Sequence, residues 1–182
     1  VYGNHNGEWV DENSETKPTS PNGIERLKVE KEWMQLASKY DLPLQIFRLS
    51  GIYSNKYNIL NRLKLGEAKI INKKNHFFSR IHVEDIANVL CSSLNNFKKK
   101  EIYNISDNQP ASAEEVTMYG VKLLGMDKPK TIEINEIESE MIKNFYKDSK
   151  KVDNRKMREF FSLKLKYPSY VEGLNYIFNN NI

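Results

Sequence analysis

The chain has 182 residues, with 28 Lys and Arg against 24 Asp and Glu and a formal net charge of +4. That length suffices for one cored domain or for part of a larger one, and the lysines are scattered among acidic residues rather than gathered into a basic stripe, so a nucleic-acid partner is not expected. No apolar run is long enough to span a bilayer and no signal peptide is seen, and the single cysteine, Cys91, excludes an internal disulfide and reads as a small core residue of a reducing, cytoplasmic compartment.

In chain order, Gly7, Asp11, Asn13, Ser14, Pro18, Ser20, Pro21, Asn22 and Gly23 mark a surface loop. Helical spacing follows from Ile24 to Tyr40, with Val29, Trp33, Leu36, Ala37 and Tyr40 on one face. The apolar run Leu42 to Leu49 reads as a buried parallel strand, after which Gly51 and Ser54 loosen the chain. Asn58 to Leu65 predicts a short helix with Ile59, Leu60 and Leu63 on one side, closed by Gly66. Ile70-Ile71 is a brief strand, and Lys73 to His76 a turn.

The most informative stretch is next, where a strand-like segment, Phe77 to His82, runs directly into an amphipathic helix. Val83, Ile86, Ala87, Leu90, Cys91 and Leu94 predict a stripe facing a core, and Glu84 and Asp85 favour the positive end of the helix. A strand ending where a helix begins is where α/β proteins place ligands. Lys98-Lys99-Lys100 reads as a solvated turn, and Glu101 to Ser106 as a strand turned by Asp107 to Pro110. Ser112-Ala113-Glu114-Glu115 is a capping box opening a helix that buries Val116, Tyr119, Gly120, Leu123 and Leu124 and stops at Gly125. Three further helices are expected, from Ile132 to Tyr146, from Lys150 to Phe161 and after Tyr170, before an Asn-rich tail that frays.

Four segments, Val1-Tyr2-Gly3, Phe47 to Tyr53, Arg80-Ile81-His82-Val83-Glu84-Asp85-Ile86-Ala87 and Ile102 to Asp107, occur in order and suitably spaced. Together they resemble the extended short-chain dehydrogenases/reductases, the NAD-dependent epimerase/dehydratase family. The resemblance implies an α/β fold: the C-terminal part of a Rossmann-like parallel sheet with a small, mostly helical substrate-binding lobe. Residues 1–125 would then complete the dinucleotide-binding domain, with lobe segments interleaved, and residues 126–182 would form the lobe. In the family Val-Tyr-Gly follows the fifth strand, and no Gly-x-Gly-x-x-Gly occurs here, so the chain is expected to be a C-terminal portion.

The resemblance also implies NAD or NADP as cofactor, a nucleotide-sugar-like or other small polar substrate, no membrane partner, and a homodimer as the family's frequent assembly. The family's catalytic Tyr-x-x-x-Lys fails, because Asn22 and Arg26 stand where Tyr and Lys belong. Asn cannot titrate and Arg stays charged, so neither can act as a general base, and the catalytic residues are unassigned. Arg26, Leu49 and Ser50 become candidate cofactor contacts; Tyr2, Arg48, Gly51, Arg80 and His82 become candidate substrate contacts. Tyr2 could equally pack on the core, and Arg48 could equally pair with a carboxylate. Arg80 lies two places after Phe78, which occupies the position where the family more often carries Arg, and an Arg near a helix N-terminus suits a diphosphate. His82 has no second His or Cys at metal-ligand spacing, and no metal is expected. The alternative is a non-catalytic NAD(P)-binding sensor or partner-binding protein that has lost the Tyr-x-x-x-Lys pair.

Overall fold

The structure, a computed structural model, describes residues 1–180. Its first strand, β1 (Trp9–Val10), lies inside the segment expected to be a plain loop. Helix α1 (Pro21–Tyr40) starts three residues earlier than the apolar spacing indicates. Ser20 caps it by accepting a hydrogen bond from the Gly23 amide, and Pro21 occupies the first helical position, where its lack of an N–H costs nothing.

After α1 the chain forms β2 (Gln45–Leu49) and β3 (Gly51–Tyr53), one extended run broken at Ser50. Pairing changes there. β2 pairs in parallel with β6 (Glu101–Ile105), Phe47 opposite Tyr103, whereas β3 pairs in parallel with β5 (Arg80–His82), Tyr53 opposite His82. The Ser50 amide still bonds Ile105 O at 3.0 Å, and the Gly51 amide bonds Ser79 O at 3.1 Å. A strand that exchanges partners opens a crevice beyond its carboxyl end, where α/β proteins bind ligands.

Between these strands lie α2 (Ile59–Lys64), β4 (Ile70–Ile71) and α3 (Val83–Asn95), and after β6 come α4 (Ala113–Leu124) and β7 (Thr131–Ile132). The capping box of α4 forms as read, Ser112 and Glu115 each bonding the other's backbone, and Gly125 ends the helix at φ 62°, a left-handed conformation that suits glycine. The helix expected over Ile132 to Tyr146 does not form. β-Branched Thr131 and Ile132 instead pair with Ile70 and Ile71, a 3-10 turn spans Ile134–Glu136, and only α5 (Glu140–Phe145) is helical. Likewise Lys151–Val152 forms β8, parallel to β1, so α6 (Arg155–Phe160) begins five residues later than expected. Helix α7 (Tyr170–Asn180) extends into the Asn-rich tail, whose last two residues lie outside the described ones.

The two largest of four apolar clusters among the described residues hold most of these elements. One joins Ile81, Val89, Tyr103, Ile105, Met157 and Phe161 beneath α3 and α6; the other joins Tyr53, Leu60, Val116, Tyr170, Leu174 and Ile177 between α2, α4 and α7. Most of the stripe expected to bury α3 points outward: Val83 is 43% exposed, Leu90 46% and Leu94 84%, and Ala87 and Cys91 are exposed as well, while Ile86 packs half-buried against the core. Asp85, Val89 and Ser93 are buried instead, because Asp85 accepts the Lys166 and Tyr167 amides at 2.7 and 3.0 Å and fixes the helix rotation. On α1, Val29, Trp33, Leu36 and Tyr40 are exposed and only Ala37 is buried.

Tyr103 is fully buried against Phe47, Phe160 and Phe161, yet its hydroxyl has no hydrogen-bond partner. An unpaired buried hydroxyl costs about 1–3 kcal/mol. Tyr103→Phe is therefore expected to leave stability unchanged or raise it by about 1 kcal/mol, measured by urea unfolding. A loss above that would show the hydroxyl to be bonded.

Candidate functional site

A cavity of about 810 Å³ opens between β3, α2, β5, α4, residues 136–146 and α7. Strand alternation turns Tyr53 inward and Ile52 outward. Asn58 caps α2 by accepting from the Asn61 amide at 3.0 Å, while its side-chain amide bonds the carbonyls of Ser54 and Asn55, both at 2.9 Å. That knot sets the rim where Tyr57, Asn61 and Arg62 line the cavity. Phe78, Tyr146 and Tyr170 complete a largely aromatic wall.

Arg80 is the fixed cation of this wall. Its Nη1 donates to the carbonyls of Phe78 and Ala111, both at 2.9 Å, and the guanidinium lies 5.8 Å from the Phe78 ring centroid. Among the described residues no carboxylate forms an ion pair with it, and burial lowers its pKa without removing its charge. Next to it, Asp107 is 1% exposed. The Asp107 amide donates to Arg80 O at 2.7 Å, its Oδ1 accepts from the Gln109 amide at 3.1 Å, and its Oδ2 has no partner. Burial pushes the Asp107 carboxyl up to about 7, against the opposing pull of the Gln109 bond and the Arg80 charge.

The other expected substrate contacts lie elsewhere. Tyr2 is buried and donates its hydroxyl to Asn104 Oδ1 at 2.7 Å while accepting from Arg48 Nη1 at 2.8 Å. Arg48 is paired with Glu30, Nε to Oε2 at 3.0 Å and Nη2 to Oε1. Both side chains are thus tied into a strut between the N-terminal segment, α1, β2 and β6, and neither lines the cavity. His82 also lies outside the cavity lining: it is fully buried, its Nδ1 accepts from the Glu84 amide at 3.3 Å to cap α3, and its ring sits 5.1 Å from Tyr53 and 4.1 Å from Tyr167. Burial lowers its pKa, against the opposing pull of Glu84 and Asp85. Gly51 is exposed at the start of β3, and Leu49 and half-buried Ser50 stand at the strand switch. Asn22 and Arg26 are exposed on the first turns of α1 with no side-chain hydrogen bond among the described residues.

These positions bear on a dinucleotide in part. Leu49, Ser50 and Gly51 offer an open edge at the carboxyl ends of parallel strands, which fits one end of such a cofactor. No glycine-rich phosphate turn stands among the residues, so they do not fit its phosphates. Among the described residues no group of three or more His, Cys, Asp or Glu could hold a metal ion, and no helix is long and apolar enough to cross a membrane.

Sequence-level reading found Arg80 but missed Asp107, Tyr53, Tyr146 and Tyr170. The only signals for these were an aspartate following a strand and aromatics spread over more than a hundred residues.

No protein-family model and no curated protein matches the chain. Solved structures do. A functionally unknown conserved protein from Silicibacter pomeroyi is 35% identical over 99% of this chain, with a TM-score of 0.92. A dTDP-glucose 4,6-dehydratase from Bacillus anthracis, in complex with NAD, is 20% identical over 98% of it, with a TM-score of 0.80. A UDP-glucose 4-epimerase from Thermotoga maritima, with UDP-glucose, is 19% identical over 93% of it, with a TM-score of 0.77. The chain spans 63%, 58% and 56% of their respective lengths. The fold is thus Rossmann-like α/β with parallel strands. Its structural neighbours include members of the NAD-dependent epimerase/dehydratase family.

Proposed function

We propose that this chain supplies the substrate-side part of an NAD(P)-dependent oxidoreductase of the epimerase/dehydratase type, acting on a nucleotide-sugar-like or other small polar substrate. The observation that carries the reading is the cavity beside β3 and β5 with Arg80 fixed in its wall. A rigid cation between aromatic faces suits a nucleoside diphosphate, the base stacking on rings and the phosphates meeting the guanidinium.

In this reading residues 126–182 form the lobe that closes the cavity, through Ile137, Tyr146 and Tyr170. Leu49 and Ser50 border the nicotinamide, while Asn22 and Arg26 orient substrate or ribose. No glycine-rich turn among these 182 residues is available to the phosphates of the dinucleotide. When bound, the cofactor supplies or accepts the hydride. Proton transfer belongs to neither Asn22 nor Arg26, since Asn does not titrate and Arg does not release its proton.

Binding of UDP-glucose and dTDP-glucose, measured by calorimetry, tests the reading. Arg80→Met is expected to weaken binding by about 10- to 100-fold, the range for loss of a charge-assisted hydrogen bond to an anion. Equal affinity of the variant, or no binding of any nucleoside diphosphate sugar, would remove the proposal. Binding of ligand and NAD(P) without turnover would move it to the sensor reading.

A further inference from the structure

Arg80 and Asp107 are neighbours without being an ion pair. Their strands meet at the Asp107 amide and Arg80 carbonyl, 2.7 Å apart, and Ser106 Oγ donates to the same carbonyl at 3.3 Å. The guanidinium spends Nη1 on two backbone carbonyls and borders the cavity, while Asp107 Oδ2 is buried with no hydrogen-bond partner among the described residues. A buried carboxylate with one oxygen unpartnered is disfavoured as an anion and takes up a proton more readily than an exposed one.

We propose that Asp107 is the positioning residue for anion recognition at Arg80: its carboxyl is a counter-charge that must be neutral for the cavity to seat an anionic group, so a diphosphate-bearing ligand binds with uptake of one proton. This inference rests on the cavity being the substrate site. With Asp107 ionised, its charge offsets that of Arg80 and repels an incoming phosphate. With Asp107 protonated, the full guanidinium charge faces the ligand.

The groups around Asp107 act consistently with this. Arg80 on β5 favours the ionised carboxyl; Glu172 on α7 and Asp85 on α3 oppose it, and Tyr53 and Tyr170 stand near without charge. Asp85 is held by the Lys166 and Tyr167 amides and Glu172 by the Ser169 hydroxyl at 2.5 Å, so neither approaches Arg80 as a substitute partner. An anion arriving at Arg80 adds to the opposing side and draws the proton onto Asp107. Its midpoint near 7 in the ligand-free protein places this exchange in the neutral range.

The test uses UDP-glucose, whose phosphodiester charges do not change between pH 6 and 8. Binding to the protonated form alone makes affinity about tenfold weaker at pH 8 than at pH 6, with a proton taken up that shows as buffer-dependent heat. Asp107→Asn, which keeps the shape and removes the charge, is expected to bind at pH 8 as tightly as the unaltered protein does at pH 6. Flat pH dependence in the unaltered protein, or the same slope in Asp107→Asn, overturns the proposal while leaving the nucleotide-sugar reading intact. If UDP-glucose binds at no pH, that reading fails, and sulfate becomes the probe. The carboxyl resonance of Asp107 then decides: a midpoint raised by sulfate sustains the proposal, and an unmoved one overturns it.

Discussion

Glu30→Ala is expected to destabilise the protein by about 3–5 kcal/mol, the range for breaking a buried pair and leaving its partner charged. Both side chains of the Glu30–Arg48 pair are only 10% exposed. Without Glu30, Arg48 keeps one partner, the Tyr2 hydroxyl, which itself leans on Asn104. Asn104 in turn is tied to further segments: its backbone amide donates to Glu12 Oε1 at 2.7 Å and its side-chain amide donates to Asp153 O at 3.2 Å. The loss therefore spreads from α1 into β6 and the N-terminal segment. Urea unfolding of Glu30→Ala, Arg48→Met and the double variant checks this, since the double variant removes the stranded charge and should recover part of the loss. A Glu30→Ala value within about 1 kcal/mol of the unaltered protein would mean the pair is exposed to solvent in practice.

Gly173→Ala is the second large effect. A Cβ at that position would lie 2.0 Å from Tyr53 Oη and 2.7 Å from two of its ring carbons. The ring cannot step aside easily: it stands edge-on to His82 at 5.1 Å, and its hydroxyl reaches Ser169 O at 3.4 Å. Overpacking of this kind costs about 1–3 kcal/mol. Because Tyr53 also lines the cavity, ligand affinity should fall alongside stability. Tyr53→Phe leaves the ring carbons in conflict and should rescue little; Tyr53→Ala in the Gly173→Ala background should restore the helix position but not the affinity. Thermal unfolding and UDP-glucose titration of the set distinguish these outcomes, and an unperturbed Gly173→Ala would show that α7 can shift away from β3.

What could be read from sequence followed the range of the interaction responsible. The capping box at Ser112 and Glu115, the glycine stop at Gly125 and the strand run of Ile46 and Phe47 are local signals, and all three stand in the fold. Two-residue strands such as Trp9–Val10 and Lys151–Val152 have no periodicity to detect, because their partners supply the reason for their extension. The outward stripe on α3 misled for another reason. Its rotation is set by Asp85 receiving two amides from residues eighty positions onward, a polar anchor that overrides apolar spacing. At the site, Arg80 was legible from its place beside a strand-to-helix junction. Tyr2, Arg48 and His82 had the right chemistry at strand ends, yet Tyr2 and Arg48 bond each other, Asn104 and Glu30, and His82 is buried with Nδ1 capping α3.

The parallel pairing also bears on how such a chain is made. Among the described residues Trp9 and Val10 pair only with Lys151 and Val152, and Gln45 to Leu49 only with Glu101 to Ile105, which are synthesised later. A ribosome delivers residues in order, at about 5–20 per second, so the early segments remain unpaired for seconds after they emerge. The pairing of β1 with β8 thus waits on residues far along the chain, a non-local contact of the kind that makes folding slow.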